Sequence, residues 1–221
     1  MSSALPIGLA AVVITGLWLL GSARLRSCVA AIAVQGALVG LLPLAVGVVL
    51  GAELPLARQA LQAALGLALK GVVFPWLLLR AIRSTRAHGE ADPAVGYAAS
   101  LLAGIAMVAA AIWISSRLPV GPAAGIALVV PAGLFTAFCG LFLVVARRSA
   151  VMQVLGYLAI ENGIAMIGMA LAEREPLLVE MGTLLDAFAA VFVMGLTVFR
   201  IGRELDHADT DRLDELKDWR P

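Results

Sequence analysis

The chain has 221 residues, of which 62% are hydrophobic, and a formal net charge of +1. Its mean hydropathy is +0.98. Soluble domains carry about 45–50% apolar residues, so this composition excludes an ordinary water-soluble fold. The near-neutral charge offers no basis for nucleic-acid binding.

A helix needs about 20 apolar residues to cross the hydrocarbon core of a bilayer. Seven runs qualify: 5–22, 28–50, 59–79, 94–115, 125–146, 151–171 and 177–199. Backbone polar groups cannot stay unpaired in lipid, so each run is expected to be a helix. The predicted fold is all-α: a polytopic membrane protein with seven transmembrane helices. No basic segment precedes the first run and no cleavage site follows it before Arg24, so a removable signal is not expected.

The small-residue pairs Gly36–Gly40, Gly47–Gly51 and Gly121–Gly125 are expected to serve close packing within one bundle. Pro43, Pro75 and Pro131 fall inside runs, where each removes a helical hydrogen bond. Pro75 is expected to free the carbonyl of Gly71 and to shape its helix.

Basic residues set the orientation. With seven spans, Arg24, Arg26, Arg80, Arg83, Arg86, Arg147, Arg148, Arg200 and Arg203 collect on one side, and only Arg58, Arg117 and Arg174 on the other. The N-terminus is therefore predicted outside and the C-terminus in the cytoplasm. The chain divides into a four-helix region, 1–115, a three-helix region, 125–199, and a charged cytoplasmic tail, 200–221.

Cys28 and Cys139 lie in apolar runs without ligand spacing, and His88 and His207 lie in polar segments. Neither a phosphate-binding loop nor a nucleophile elbow is present. The expectation is a chain with no catalytic centre, metal or cofactor of its own.

Three fully ionisable residues sit near the middle of apolar runs: Lys70, Glu161 and Asp186. A charge at mid-bilayer costs about 2.5–3.5 kcal/mol on insertion scales, so each needs a partner or a use. Gln59, Gln62, Gly66 and Lys70 recur at helical spacing and form one polar stripe. On the seventh run, Thr183 shares a face with Asp186, and Glu180 lies nearer the outer end. Two readings stand side by side. Lys70 pairs with Glu161 or Asp186 as an internal tie, or the three groups pass protons along hydrated gaps. Gln59, Gln62, Thr183 and Glu180 are possible accessories.

The stretch LGYLAIENGI (155–164) and the stretch EMGTLLDAF (180–188) resemble the hydrogenase-4 component E family. The last three helices also resemble subunit K of complex I and the small three-helix component of Mrp-type antiporters. The resemblance implies a membrane subunit without redox cofactors, part of an oxidoreductase complex in a bacterial or archaeal cytoplasmic membrane. Its implied partners are antiporter-like and other membrane subunits, and a peripheral hydrogenase module on the cytoplasmic side. Glu161 then matches a mid-membrane glutamate of the three-helix subunit, and Asp186 stands at or near its second acidic position. Lys70 has no counterpart there. The implied role is a contribution to a proton, or sodium, translocation path. The alternatives are a structural anchor for the same complex, an Mrp-type antiporter subunit and a stand-alone transporter.

Overall fold

The computed structural model describes residues 4–50, 56–84, 95–118, 127–171 and Gly195. Among these residues the regular elements are all helices, with isolated bridge residues at Arg24 and Arg147. In chain order, α1 is Ala4–Gly21, α2 is Leu25–Leu50 and α3 is Leu56–Gly66. A π-helical segment, Leu67–Val73, joins α3 to α4, Phe74–Ser84. Three helices follow: α5, Tyr97–Ser115; α6, Val129–Ala146; and α7, Ala150–Leu171.

Five stretches are long and apolar enough to cross a membrane: Leu25–Gly47, Gln59–Arg80, Tyr97–Ser115, Val129–Ala146 and Val151–Ala170. Leu5–Gly21 is a shorter apolar helix. Together these correspond to the first six expected runs, and the chain is a multi-pass membrane protein. The seventh run, apart from Gly195, and the charged tail lie outside the described residues.

The third run differs from expectation in its middle. A simple proline kink is the expectation, but the helix widens into a seven-residue π segment instead. At its end the Phe74 N–H donates to the Leu69 carbonyl, five residues back. Pro75 follows directly. Its ring cannot donate and would collide with the carbonyl one turn earlier, and widening the preceding turn relieves that collision.

Two glycine registers hold the bundle together. Gly36, Gly40 and Gly47 of α2 abut Lys70, Gly66 and Gln59 respectively. Residue numbers rise on one helix as they fall on the other, so the two run antiparallel in a single register. Gly133 and Gly140 of α6 meet Gly163 and Gly156 of α7 in the same way. A Cβ on Gly163 would stand 2.6 Å from the backbone nitrogen of Ala137. Close approach of this kind is the main attractive force between helices that gain nothing from hydrophobic burial in lipid. The expectation that Gly36, Gly40 and Gly47 serve packing inside one bundle is met. Gly51, Gly121 and Gly125 lie outside the described residues.

The interior has three layers. Toward one end, Leu19, Leu20, Cys28, Phe74, Leu143 and Leu155 belong to one apolar cluster. Toward the other, Leu5, Leu9, Val39, Leu42, Val129 and Met166 belong to a second. Along α1, α2 and α7, the residues between these clusters include Thr15, Gln35 and the pair Glu161–Asn162, and Lys70 just precedes the α4 part of the first cluster. Polar groups are thus gathered at mid-depth between two apolar slabs.

Candidate functional site: a buried polar layer

Lys70 occupies the centre of the π segment and is 6% exposed. Its Cβ and backbone lie against Gly36, where the absence of a side chain gives the lysine stem room beside α2. The ammonium forms an ion pair with Oε1 of Glu161 on α7. Glu161 is 1% exposed. The ion pair joins two groups 91 positions apart in sequence.

A second polar chain runs beside it. Thr15 donates its hydroxyl proton to the Val12 carbonyl at 2.7 Å. Nε2 of Gln35 donates to the same carbonyl at 3.4 Å and to Oγ1 of Thr15 at 3.3 Å. Nδ2 of Asn162 donates to Oε1 of Gln35 at 3.4 Å. Gln35 and Asn162 are both buried. Burying amide groups in hydrocarbon without partners is costly, so this chain stabilises their presence at mid-depth.

Of the expected site residues, the structure brings Lys70 and Glu161 into direct contact. Gln59 is buried further along the same face, against Gly47, and Gln62 is half-buried on the same helix. The polar stripe on the third run therefore packs onto α2 through Gln59, Gly66 and Lys70. Asp186, Glu180 and Thr183 lie outside the described residues.

Hydropathy and spacing do not single out Gln35 and Thr15, and they give Asn162 no role. A signal for Gln35 exists all the same: it is a lone amide well inside an apolar run, the same feature that marks Lys70. By sequence, Arg147 is only a basic residue marking one side of the membrane. In the structure it is 1% exposed. Its Nη2 donates to the Leu20 carbonyl at 2.6 Å and its Nη1 to the Val95 carbonyl at 3.4 Å. Its guanidinium stacks 4.8 Å from the Tyr97 ring centre. Arg147 thus ties together the end of α1, the start of α5 and the end of α6.

Among the described residues no group of three or more His, Cys, Asp or Glu side chains could hold a metal. The layer's chemistry is that of a carboxylate, an ammonium and two amides. It can exchange protons and reorganise hydrogen bonds.

The family model for NADH-ubiquinone/plastoquinone oxidoreductase chain 4L matches residues 126–218, a stretch that contains Glu161 and Asp186. The chain is 38% identical over 198 residues to the uncharacterized protein Rv0085 of Mycobacterium tuberculosis, covering 88% of this chain and 87% of that protein. It is 38% identical over 101 residues to hydrogenase-4 component E of Escherichia coli K12, covering 46% of each. The same protein of Shigella flexneri matches to the same extent. The match thus spans about half the length of the hydrogenase relatives. No solved structure matches the chain. Similarity along most of the chain places the protein in one family with Rv0085, with a chain 4L-like region at residues 126–218 and similarity to hydrogenase-4 component E over about half its length.

Proposed function

We propose that this chain is a non-redox membrane subunit of a complex I-like, hydrogenase-type assembly, and that Lys70 and Glu161 lie on its proton (or sodium) translocation path. The observation that carries this reading is the ion pair between Lys70 and Glu161, set in a polar layer between two apolar slabs. Buried ion pairs are a weak source of stability, so their retention at mid-membrane favours a use. Glu161 falls inside the stretch that matches chain 4L.

In this reading the chain crosses the membrane seven times, from an outside N-terminus to a cytoplasmic C-terminus. The contact of Arg147 with Leu20 and Val95 supports the alternation, since it gathers the ends that the arrangement assigns to the cytoplasmic side. Asp186 and Thr183 of the seventh run extend the path, with Glu180 nearer its outer end. Gln59 and Gln62 continue it along α3. The region 1–115 supplies Lys70, the region 125–199 supplies both carboxylates, and the tail 200–221 faces the peripheral hydrogenase module. Antiporter-like subunits are the membrane neighbours.

Affinity purification of the tagged chain from native membranes tests the assembly reading. The expected result is co-purification with hydrogenase and antiporter-like membrane subunits. Recovery of the chain from native membranes without any of these subunits contradicts it and favours a stand-alone transporter.

A further inference from the structure

The orientation of the Asn162 amide is dictated from outside its own helix. The Val12 carbonyl can only accept, so Gln35 must turn its NH2 toward it. That leaves Oε1 of Gln35 facing α7, and Asn162 must meet it with its own NH2. Oδ1 of Asn162 is then an acceptor held in the buried layer, and it receives no hydrogen bond from the described residues. A buried acceptor left unmade costs free energy in this state and gains it when a donor arrives.

The Lys70 ammonium is a donor in the same buried layer. Its stem is anchored at Gly36, the neighbour of Gln35, and its tip is on Glu161, the neighbour of Asn162. The residue pairs Gln35–Gly36 and Glu161–Asn162 therefore bracket the lysine. We propose that Oδ1 of Asn162 is a second station for the Lys70 ammonium, taken when Glu161 binds a proton, with Gln35 as the positioning residue that keeps the station open. The proton converts the carboxylate to a neutral acid, the ammonium keeps its own protons, and the long flexible side chain swings from a charged acceptor to a neutral one. This deepens the proton-path reading and rests on Glu161 being its proton acceptor.

The sequence makes the test direct. The chain has two lysines, Lys70 and Lys217, and one asparagine, Asn162. Solid-state NMR of the full chain in lipid bilayers, with 15Nζ-lysine and 13Cγ-asparagine, reads the Lys70–Asn162 distance, and Lys217→Arg removes the other lysine signal. In wild type near neutral pH the dipolar coupling is expected to be weak. In Glu161→Gln, the neutral stand-in for the protonated acid, it is expected to rise about twofold, to the value of a hydrogen-bonded pair. Adding Gln35→Leu is expected to reverse that rise. An unchanged coupling in Glu161→Gln overturns the station. A rise that survives Gln35→Leu overturns the positioning role. If Glu161→Gln does not insert, Glu161→Met gives the same reading, with the same result expected. Acidifying the wild type separates the two ideas: a rise in the variant without a rise in acid keeps the station and overturns Glu161 as the proton acceptor.

Discussion

Gly36 stands directly against Lys70: a Cβ on Gly36 would lie 2.8 Å from both the Cβ and the carbonyl oxygen of that lysine. Real side chains do not approach so closely, so the position of the buried ammonium depends on a missing methyl group on the neighbouring helix. Gly36→Val should push α2 from the π segment and pull Lys70 off Glu161. Overpacking of this kind costs about 1–3 kcal/mol. A thermal melt in detergent should show a clear loss for Gly36→Val. It should show almost none for Gly8→Ala, where nothing lies within 4 Å.

The α6–α7 contact makes a parallel prediction at a different place. A Cβ on Gly140 would run into the Gly156 carbonyl oxygen and stand 2.6 Å from the backbone nitrogen of Ile160. Both neighbours are backbone atoms and cannot rotate away. Gly140→Leu sets a larger side chain against backbone that comes closer than at Gly36, so it should reduce the yield of inserted, folded protein more than Gly36→Val does. Fluorescence-detected size exclusion of the two variants checks the order.

Lys70 and Glu161 should show strong coupling in a double-mutant cycle. Removing one member of a buried pair leaves an uncompensated charge and typically costs about 3–5 kcal/mol, whereas replacing both is often near-neutral. Lys70→Met alone should destabilise the chain, and Lys70→Met combined with Glu161→Met should recover most of the loss. Chemical unfolding in mixed micelles measures the cycle. Additive losses would separate the two residues energetically.

Arg147 forms its clamp with a planar, forked donor set. Lysine cannot reach two carbonyls and stack on a ring at once. Arg147→Lys should lower the melting temperature, and Arg147→Met should lower it further, because the Leu20 carbonyl then loses a charge-assisted hydrogen bond. Hydrogen bonds to charged groups contribute about 1.5–3 kcal/mol. Measuring both melts against wild type tests the ranking.

Much of this architecture is legible in the residues. Hydrophobic run length locates the described spans, because a bilayer demands a fixed length of apolar helix. Helical spacing brings Gln59, Gln62, Gly66 and Lys70 onto one stripe. Their shared depth pairs Lys70 with either Glu161 or Asp186, and the structure places the ion pair on Glu161. Other features require tertiary information. Gln35 is buried because a carbonyl of α1 reaches it, and no periodicity within α2 reports that. Arg147 sits at a helix end, where charge usually means solvent, but the ends of α1 and α5 close over it. The π segment reflects a local conflict at Pro75 that could be relieved by a kink or by widening, and residue spacing does not choose between them.

The central claim is that Glu161 carries protons, and coupled proton translocation in membrane vesicles tests it most directly. Wild type and Glu161→Gln are compared at matched levels of assembled complex while hydrogen turnover drives the system. Gradient formation is predicted to fall steeply in Glu161→Gln although the complex still assembles. Normal assembly with unchanged turnover and an unchanged gradient would contradict the claim, and would leave the Lys70–Glu161 pair as a structural tie.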